Sequence, residues 1–357
     1  MYLSKRNITS SLRNILFLST IVSLAVVISC VKVGPVPDFE YTYDFDASLP
    51  AVDTTSLSAE NVSLTAGAVD NQGAVSFSSN VSTPATATSY AAATNTSFTA
   101  AQQTYWSGQT QASILNALET GDANAQSQVS SAINSFLGNP TLQALVPALT
   151  QAVINSSRTA ARTTATDNTE DVEDINQVGA VNATQAEFDD CRQAAQDAFD
   201  IALNELDSIL AVQLQDIQTR YNNQLPLIEA QRAPLEAAAQ SRHVTRLGDY
   251  LTLYNSINTT ISNLFTNGSI TAAERDQLLI TNIAIYAISV QSSLDLLNSE
   301  LTLINNSLAQ ATANLLTNRD TMIAEANANY NTELAVITQK RSSAQNACHN
   351  QGGVNTN

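Results

Sequence analysis

The 357 residues carry a formal net charge of −17, with 15 Lys and Arg against 32 Asp and Glu, 44% apolar residues and only 6% aromatics. That balance excludes nucleic acid as a partner, and docking on anionic lipid by charge, because both need a basic surface. A thick aromatic core is out of reach too. Ala, Leu, Asn, Ser, Thr and Gln suit long, thin apolar seams instead, and Gly and Pro thin out after residue 140, as long helices require.

At the N-terminus, Lys5, Arg6 and Arg13 precede an apolar run from Ile15 to Ile28, which leads into Val27-Ile28-Ser29-Cys30. A positive region, an apolar stretch of this length and a small residue at the cut are the parts of a secretory signal. The cysteine directly after the small residue resembles the lipobox of bacterial lipoproteins. The resemblance covers residues 1–30 and implies cleavage after Ser29, acylation of Cys30 and a membrane partner through that lipid. The expected location is outside the cytoplasm, on the outer membrane or cell surface. The apolar run also approaches bilayer length, so an uncleaved anchor is the alternative. Removing residues 1–29 leaves 12 basic against 32 acidic side chains, a net −20. Residues 30–37, containing Val-Lys-Val-Gly-Pro-Val-Pro, form a lipidated tether.

Residues 38–97 are expected to be extended or to form a small β segment. Phe39, Tyr41, Tyr43 and Phe45 alternate with mostly acidic residues, a period of two that would lay an aromatic face on helices. The same acids could form a Ca²⁺ ladder, but they lack the spacing of a calcium loop. Further on, Val62, Leu64 and Ala66 alternate, as do Val75 and Phe77, around Asp70-Asn71-Gln72-Gly73. A β-hairpin at that turn is one reading and a partly disordered Ser/Thr stretch is the other.

The pattern turns helical in residues 98–157, with candidate helices at 99–119, 122–137 and 140–157. Gly121 would end the first, Asp122 would cap the second, and Gly138-Asn139-Pro140 would separate the last two. Residues 158–181 hold Arg158, Arg162 and the acids Glu170, Asp171, Glu173 and Asp174 without apolar periodicity, and read as an acidic linker.

A long antiparallel helical hairpin is expected over 182–348, with a disordered tail at 349–357, so the fold class is mainly α. Assigning Cys30 to lipid leaves one cysteine pair, Cys191 and Cys348, in a compartment that permits disulfides. The strongest turn signal after residue 182 is Thr266-Asn267-Gly268-Ser269, followed by Thr271-Ala-Ala-Glu274, a capping box. Gly268 is 77 residues from Cys191 and 80 from Cys348. Two arms meeting at Asn267 and Gly268 would therefore bring the cysteines together at the far end. In the second arm Leu294, Leu297, Leu301, Ile304, Leu308, Ala311, Leu315 and Met322 step by three and four with one position skipped, then shift to Ile323, Ala326, Tyr330 and Leu334. This is a coiled-coil stripe with a stutter. Pro226, Pro234 and Gly248 should break the first arm between 225 and 248, into helices at about 183–240 and 243–265.

No chemical motif stands out. His243 and His349 are far apart in a hairpin, and no phosphate loop, nucleophile elbow or metal spacing occurs. The expectation is a protein without catalytic residues, metal or cofactor. It would act as a spacer, adhesin or coat subunit, with a protein partner or self-association through its helices. The tip, Leu264 to Arg275, is the candidate contact surface. One stretch, Gln277 to Leu294, has no charge over eighteen residues. It is read as a buried part of the second arm. A membrane-inserting element is the alternative, as in α-helical pore-forming toxins, which the chain resembles in architecture only. A periplasmic adaptor hairpin is a third reading, ranked last because such hairpins are flanked by β-domains on both sides.

Overall fold

A computed structural model describes the backbone of residues 41–157 and 185–350 and the side chains of 41–155 and 189–348. The signal segment 1–29, Cys30, the tether, the acidic linker 158–181 and residues 351–357 lie outside the described residues. The chain divides into Met1–Thr42 and Tyr43–Asn357, and every described element belongs to the second.

The fold is mainly α, built on two arms that meet at the expected turn. The first arm is α7 (Gln185–Glu229) followed by α8 (Arg232–Thr266), and the second is one helix, α9 (Ala272–Asn350). The seam follows the stripe read from the sequence: Leu297, Ile304, Leu308, Ala311, Leu315, Met322 and Ala326 of α9 are buried against Ile217 and Ile228 of α7. The skipped position is Asn318. Its side chain leaves the seam to bond another segment, described below.

The first arm does break within the expected interval of 225–248, at 230–231, earlier than the expected helix ends at about 240 and 243. Pro226 sits in the last turn of α7 and Pro234 is the third residue of α8, where the first amides of a helix need no partner within it. The break therefore falls between the two prolines, where each does least harm. Gly248 continues α8 without interruption, and a Cβ there would meet nothing within 4 Å. Gly248→Ala should therefore raise stability by about 0.5–1 kcal/mol, because glycine loses more backbone freedom in a helix than alanine. A rise in melting temperature checks this.

The segment from Tyr43 to Asp53 is extended, as the alternation around Tyr43 and Phe45 predicted, and one turn at Thr54–Leu57, closed by the Leu57 amide on the Thr54 carbonyl, precedes Glu60. Phe45 is buried and Tyr43, Ala47 and Leu49 half-buried, packed on Ala195, Phe199, Leu206 and Ile337, while Asp44, Asp46 and Ser48 face out. It leads into β1 (Asn61–Thr65) and β2 (Ala68–Asp70).

The expected hairpin around Asp70–Gly73 does not form. Asp70 Oδ1 accepts from the Gln72 amide at 2.9 Å and starts helix α1 (Gln72–Asn80). Val75 and Phe77 thus sit on a helix, where Ala74, Phe77 and Val81 make the buried stripe and Val75 is exposed. Helix α2 (Pro84–Ser97) follows, burying Ala87, Ala91 and Thr94 at helical spacing.

The candidate helix 99–119 is two helices, α3 (Ala100–Ser107) and α4 (Gln111–Glu119), each opened by a capping box, Thr99 with Gln102 and Thr110 with Ser113. Helix α5 (Ala123–Leu137) is as expected, with the Asp122 carboxylate accepting from the amides of Asn124 and Ala125, after Gly121 turns the chain at φ +75°.

The third candidate, 140–157, is corrected: only α6 (Pro140–Gln143) is helical, followed by strands β3 (Ala148–Thr150) and β4 (Val153–Ser157). Leu149 and Val153, counted as part of its stripe, are exposed. β4 pairs with β1 and β3 with β2, both antiparallel. The partners Thr65↔Val153 and Ala68↔Thr150 keep one register, so the four strands form a single two-stranded ribbon interrupted at Ala66-Gly67. Gly67 is needed there, because a Cβ would lie 2.6 Å from the Thr150 carbonyl oxygen.

The ribbon holds together the two ends of a helical head, α1 to α6, which packs on α8 and the first part of α9. Its core joins Phe77, Trp106, Ile114 and Phe136 to Ile257, Ile261 and Leu278. Every residue from Ile280 to Ile288 is buried. A two-helix arm buries one stripe; burial on all sides needs the second layer that the head supplies.

Candidate functional site

Three places carry polar chemistry: the disulfide end, the tip, and a cluster between the arms just below the head.

At the disulfide end Cys191 and Cys348 are bonded, with Cα atoms 6.1 Å apart and both side chains buried. The Tyr43 hydroxyl lies 3.2 Å from Cys191 Sγ and 3.7 Å from Cys348 Sγ. The extended segment therefore begins on the disulfide itself. Arg341 covers the Phe199 ring at 4.3 Å, and the Tyr330 hydroxyl donates to Asp207 Oδ1 at 2.7 Å, joining the two arms again at intervals of two to three turns.

At the tip Gly268 has φ +70°, which favours glycine. Its amide bonds the Phe265 carbonyl and the Ser269 amide bonds the Leu264 carbonyl, the pairing of a Schellman cap. The Thr271 amide donates to the Glu274 carboxylate at 2.7 Å, and the Glu274 amide to Thr271 Oγ1 at 3.2 Å, so the capping box forms as read. The bonds from Thr271 hold the Glu274 carboxyl below its usual range. Asn267 and Gly268 are exposed, beside a partly exposed Phe265 ring that Arg275 covers at 4.5 Å.

The cluster was not read from the sequence. Arg242, His243, Arg246 and Tyr250 of α8 face Ser289, Ser293 and Glu300 of α9. Arg242 Nη2 bonds Glu300 Oε2 at 2.8 Å; the Glu300 side chain is 0% exposed and its other oxygen, Oε1, is buried without a described partner. Arg246 Nε donates to Ser293 Oγ at 2.8 Å, and His243 Nδ1 lies 2.9 Å from the same oxygen. Ser289 in turn bonds Asn71, which precedes α1. The signal available was Ser-Arg-His-Val-Thr-Arg at 241–246, the densest basic run of an otherwise acidic arm, opposite Glu300 among the apolar positions of α9.

Electrostatics follow from burial. Burial and the Arg246 charge lower the pKa of His243, outweighing Glu119 and the bond to Ser293. Burial also raises Tyr250 and lowers Arg246, the latter opposed by Glu300. His243 is 2% exposed and Ser293 0%. Their spacing is that of a base and a nucleophile, but no substrate reaches Ser293 under this packing, and its oxygen is already engaged by Arg246. Among the described residues no group of three His, Cys, Asp or Glu could hold a metal ion, the acids Asp44 and Asp46 included.

A His whose folded pKa lies below its unfolded value of about 6.5 gives stability that is complete above that pH and lost as the pH falls below it. Melting temperature should therefore drop between pH 7 and 5.5, and His243→Gln should flatten the drop. A slope equal in both proteins would contradict this.

Polar side chains in the charge-free stretch of α9 also bond across to the neighbouring helices, although Gln277 Oε1 and Gln291 Oε1 are buried without a described partner. Thr281 Oγ1 lies 2.5 Å from Thr94 Oγ1, and Asn282 Nδ2 donates to Asn258 Oδ1 at 2.8 Å and to the Tyr254 carbonyl at 3.0 Å. Gln277 to Leu294 is thus a buried section of the arm, as expected, though the head and not residues 243–265 alone covers it. No protein-family model, curated protein or solved structure matches this chain.

Proposed function

We propose that the protein is a non-enzymatic, lipid-anchored component of the cell envelope or surface. A disulfide-closed helical stalk would hold the head and tip away from the bilayer, as a spacer, adhesin or coat subunit does. The observation that carries this is directional: the first residue of the larger unit, Tyr43, sits on the Cys191–Cys348 bond, while α1 to α6 surround the opposite end of the hairpin. Thirteen residues separate Cys30 from Tyr43. With Cys30 acylated, the disulfide end would lie within about 45 Å of the lipid. Residues 272 to 348 of α9 would carry the tip about 115 Å further along the helix axis.

Labelling with a radioactive fatty acid, followed by fractionation, tests the anchor. The wild type should be labelled and sediment with membranes; Cys30→Ser should be unlabelled and soluble. Protease added to intact cells then tests the side. Cutting at Arg158 or Arg162 would favour the surface, and protection until the outer membrane is opened would favour a periplasmic spacer or adaptor.

A membrane-active role is the second reading, favoured by one observation: α9 holds an eighteen-residue window of mean hydropathy 1.2 with few charges. Most of that window, 78%, is buried, and Thr281 and Asn282 of the charge-free stretch are bonded to the head and α8. Release of dye from liposomes by the soluble Cys30→Ser protein would support this reading, and inertness across lipid compositions would remove it.

A further inference from the structure

The extended segment from Tyr43 to Val62 runs the whole way from the disulfide to the break in the first arm. Its partners occur in strict order along both arms. Gln213 Nε2 donates to the Pro50 carbonyl and Asn318 Nδ2 to the Ser56 carbonyl, both at 3.0 Å. The Ala59 amide donates to Gln224 Oε1 at 3.0 Å, and Asn314 Nδ2 to the Glu60 carboxylate at 3.0 Å. Gln231 closes the series: its Nε2 donates to the Glu60 carbonyl and its Oε1 accepts from the Val62 amide, each at 2.8 Å. One side-chain amide thus bonds a strand edge as a neighbouring strand would, and the break at 230–231 is where it does so.

The lengths are comparable. Nineteen steps of chain would span about 63 Å if fully extended, and the first arm from Cys191 to Gln231 rises about 60 Å. One turn interrupts the segment, at Thr54–Leu57, where the Leu57 amide donates to the Thr54 carbonyl at 3.1 Å. Its only covalent continuation toward the N-terminus leaves at the disulfide end, and the head lies at the other end.

We propose that Tyr43–Val62 is a tension-bearing strap. When the head is pulled away from the anchor, the load enters at Tyr43 and runs along the strap axis. Phe45, Leu49, Leu57 and the amide bonds are then loaded in shear, those beyond the Thr54–Leu57 turn once that turn is drawn straight. The disulfide keeps the same pull from parting α7 and α9 at their free ends. The residue types fit this role. Amides carried on α7, α9 and the turn before α8 grip main-chain groups at intervals, with no continuous ladder to unzip.

That a load exists rests on the lipid-anchor reading; the strap's resistance does not. The test is single-molecule pulling on the unlipidated chain, residues 30–357, with one handle at the N-terminus and the other at either of two exposed positions. A handle at Asn267→Cys, on the tip, loads the strap in shear. A handle at Asn346→Cys, beside the disulfide, peels it from the same end. The rupture force should be at least about twofold higher in shear, since rupture under force follows the unfolding barrier and peeling breaks the contacts one at a time. Gln231→Ala should lower the shear force and leave the peeling onset unchanged, because Gln231 lies at the far end. Equal forces in the two geometries, or a strap that detaches below the force at which the head yields to a direct pull, would overturn the proposal. Failure of Cys30 to take up fatty acid would remove the load and leave these forces as they are.

Discussion

Loss of the Cys191–Cys348 bond is expected to destabilise the stalk by about 5 kcal/mol, the chain-entropy value for a loop of this size. The sequence separation of 157 residues makes the effect large. It is comparable to the whole stability of many domains. The loss should also be local. Among the described residues the disulfide end consists of two helices and the strap, and the buried side chains include Ala195, Ala198, Ala202 and Ala344, which offer little apolar area. Cys191→Ser with Cys348→Ser should therefore open residues 191–206 and 334–348 to hydrogen exchange first, together with the strap from Tyr43 to Leu49. Trp106 is the only tryptophan and is buried in the head. Its fluorescence should keep the wild-type transition while the circular-dichroism signal of the stalk shifts to lower denaturant. Coincident shifts of both probes would mean that stalk and head unfold as one unit.

Removing Arg242 is the second large effect. Glu300 is fully buried, and the 2.8 Å contact with Arg242 is its only described ion pair. Arg242→Met would leave a carboxylate under the head with Arg246 as the nearest remaining cation, and breaking a buried pair in this way costs about 3–5 kcal/mol. Arg242 is itself 29% exposed, so the lower end of that range is expected. Replacing both partners, Arg242→Met with Glu300→Met, should restore most of the loss, since a buried pair contributes little over well-packed apolar side chains. Chemical denaturation of the two variants checks both statements. If the double variant is as unstable as the single one, the cluster holds the arms in place through Arg246 and Ser293 instead.

The hairpin could be read in advance because its signals are local and redundant. The stripe of α9, the capping box at Thr271 and Glu274, and the equal spacing of the cysteines about Gly268 agree with each other, and each has a direct physical cause. The head was legible only in part. Helix α2 is Ala, Ser, Thr and Asn apart from Pro84 and Tyr90, so its buried face of Ala87, Ala91 and Thr94 leaves no apolar period to find. Val75 and Phe77 mimicked a strand because two residues cannot separate a period of two from one of 3.6. The strands after α6 were missed because Leu142, Leu145, Leu149 and Val153 step like a helix. Their partners are β2 and β1, about eighty to ninety-five residues earlier, and such pairing leaves no local trace. The first-arm break was placed too late because Gly248 was weighted as a breaker, whereas two prolines eight residues apart confine the break to the turn between them. The polar cluster was hidden for another reason: Arg242, Arg246 and Glu300 look like surface charge until the fold places them across the seam from each other.

The most direct test of the account is the distance of each end of the hairpin from the bilayer. Acylated protein would be bound to vesicles containing an energy-acceptor lipid, with a donor dye at Asn346→Cys in one sample and at Asn267→Cys in another. The account predicts strong transfer from position 346 and none from 267. Strong transfer from 267, or equal transfer from both, would contradict a stalk standing on its disulfide end and would turn the reading toward a hairpin whose tip and α9 engage the membrane.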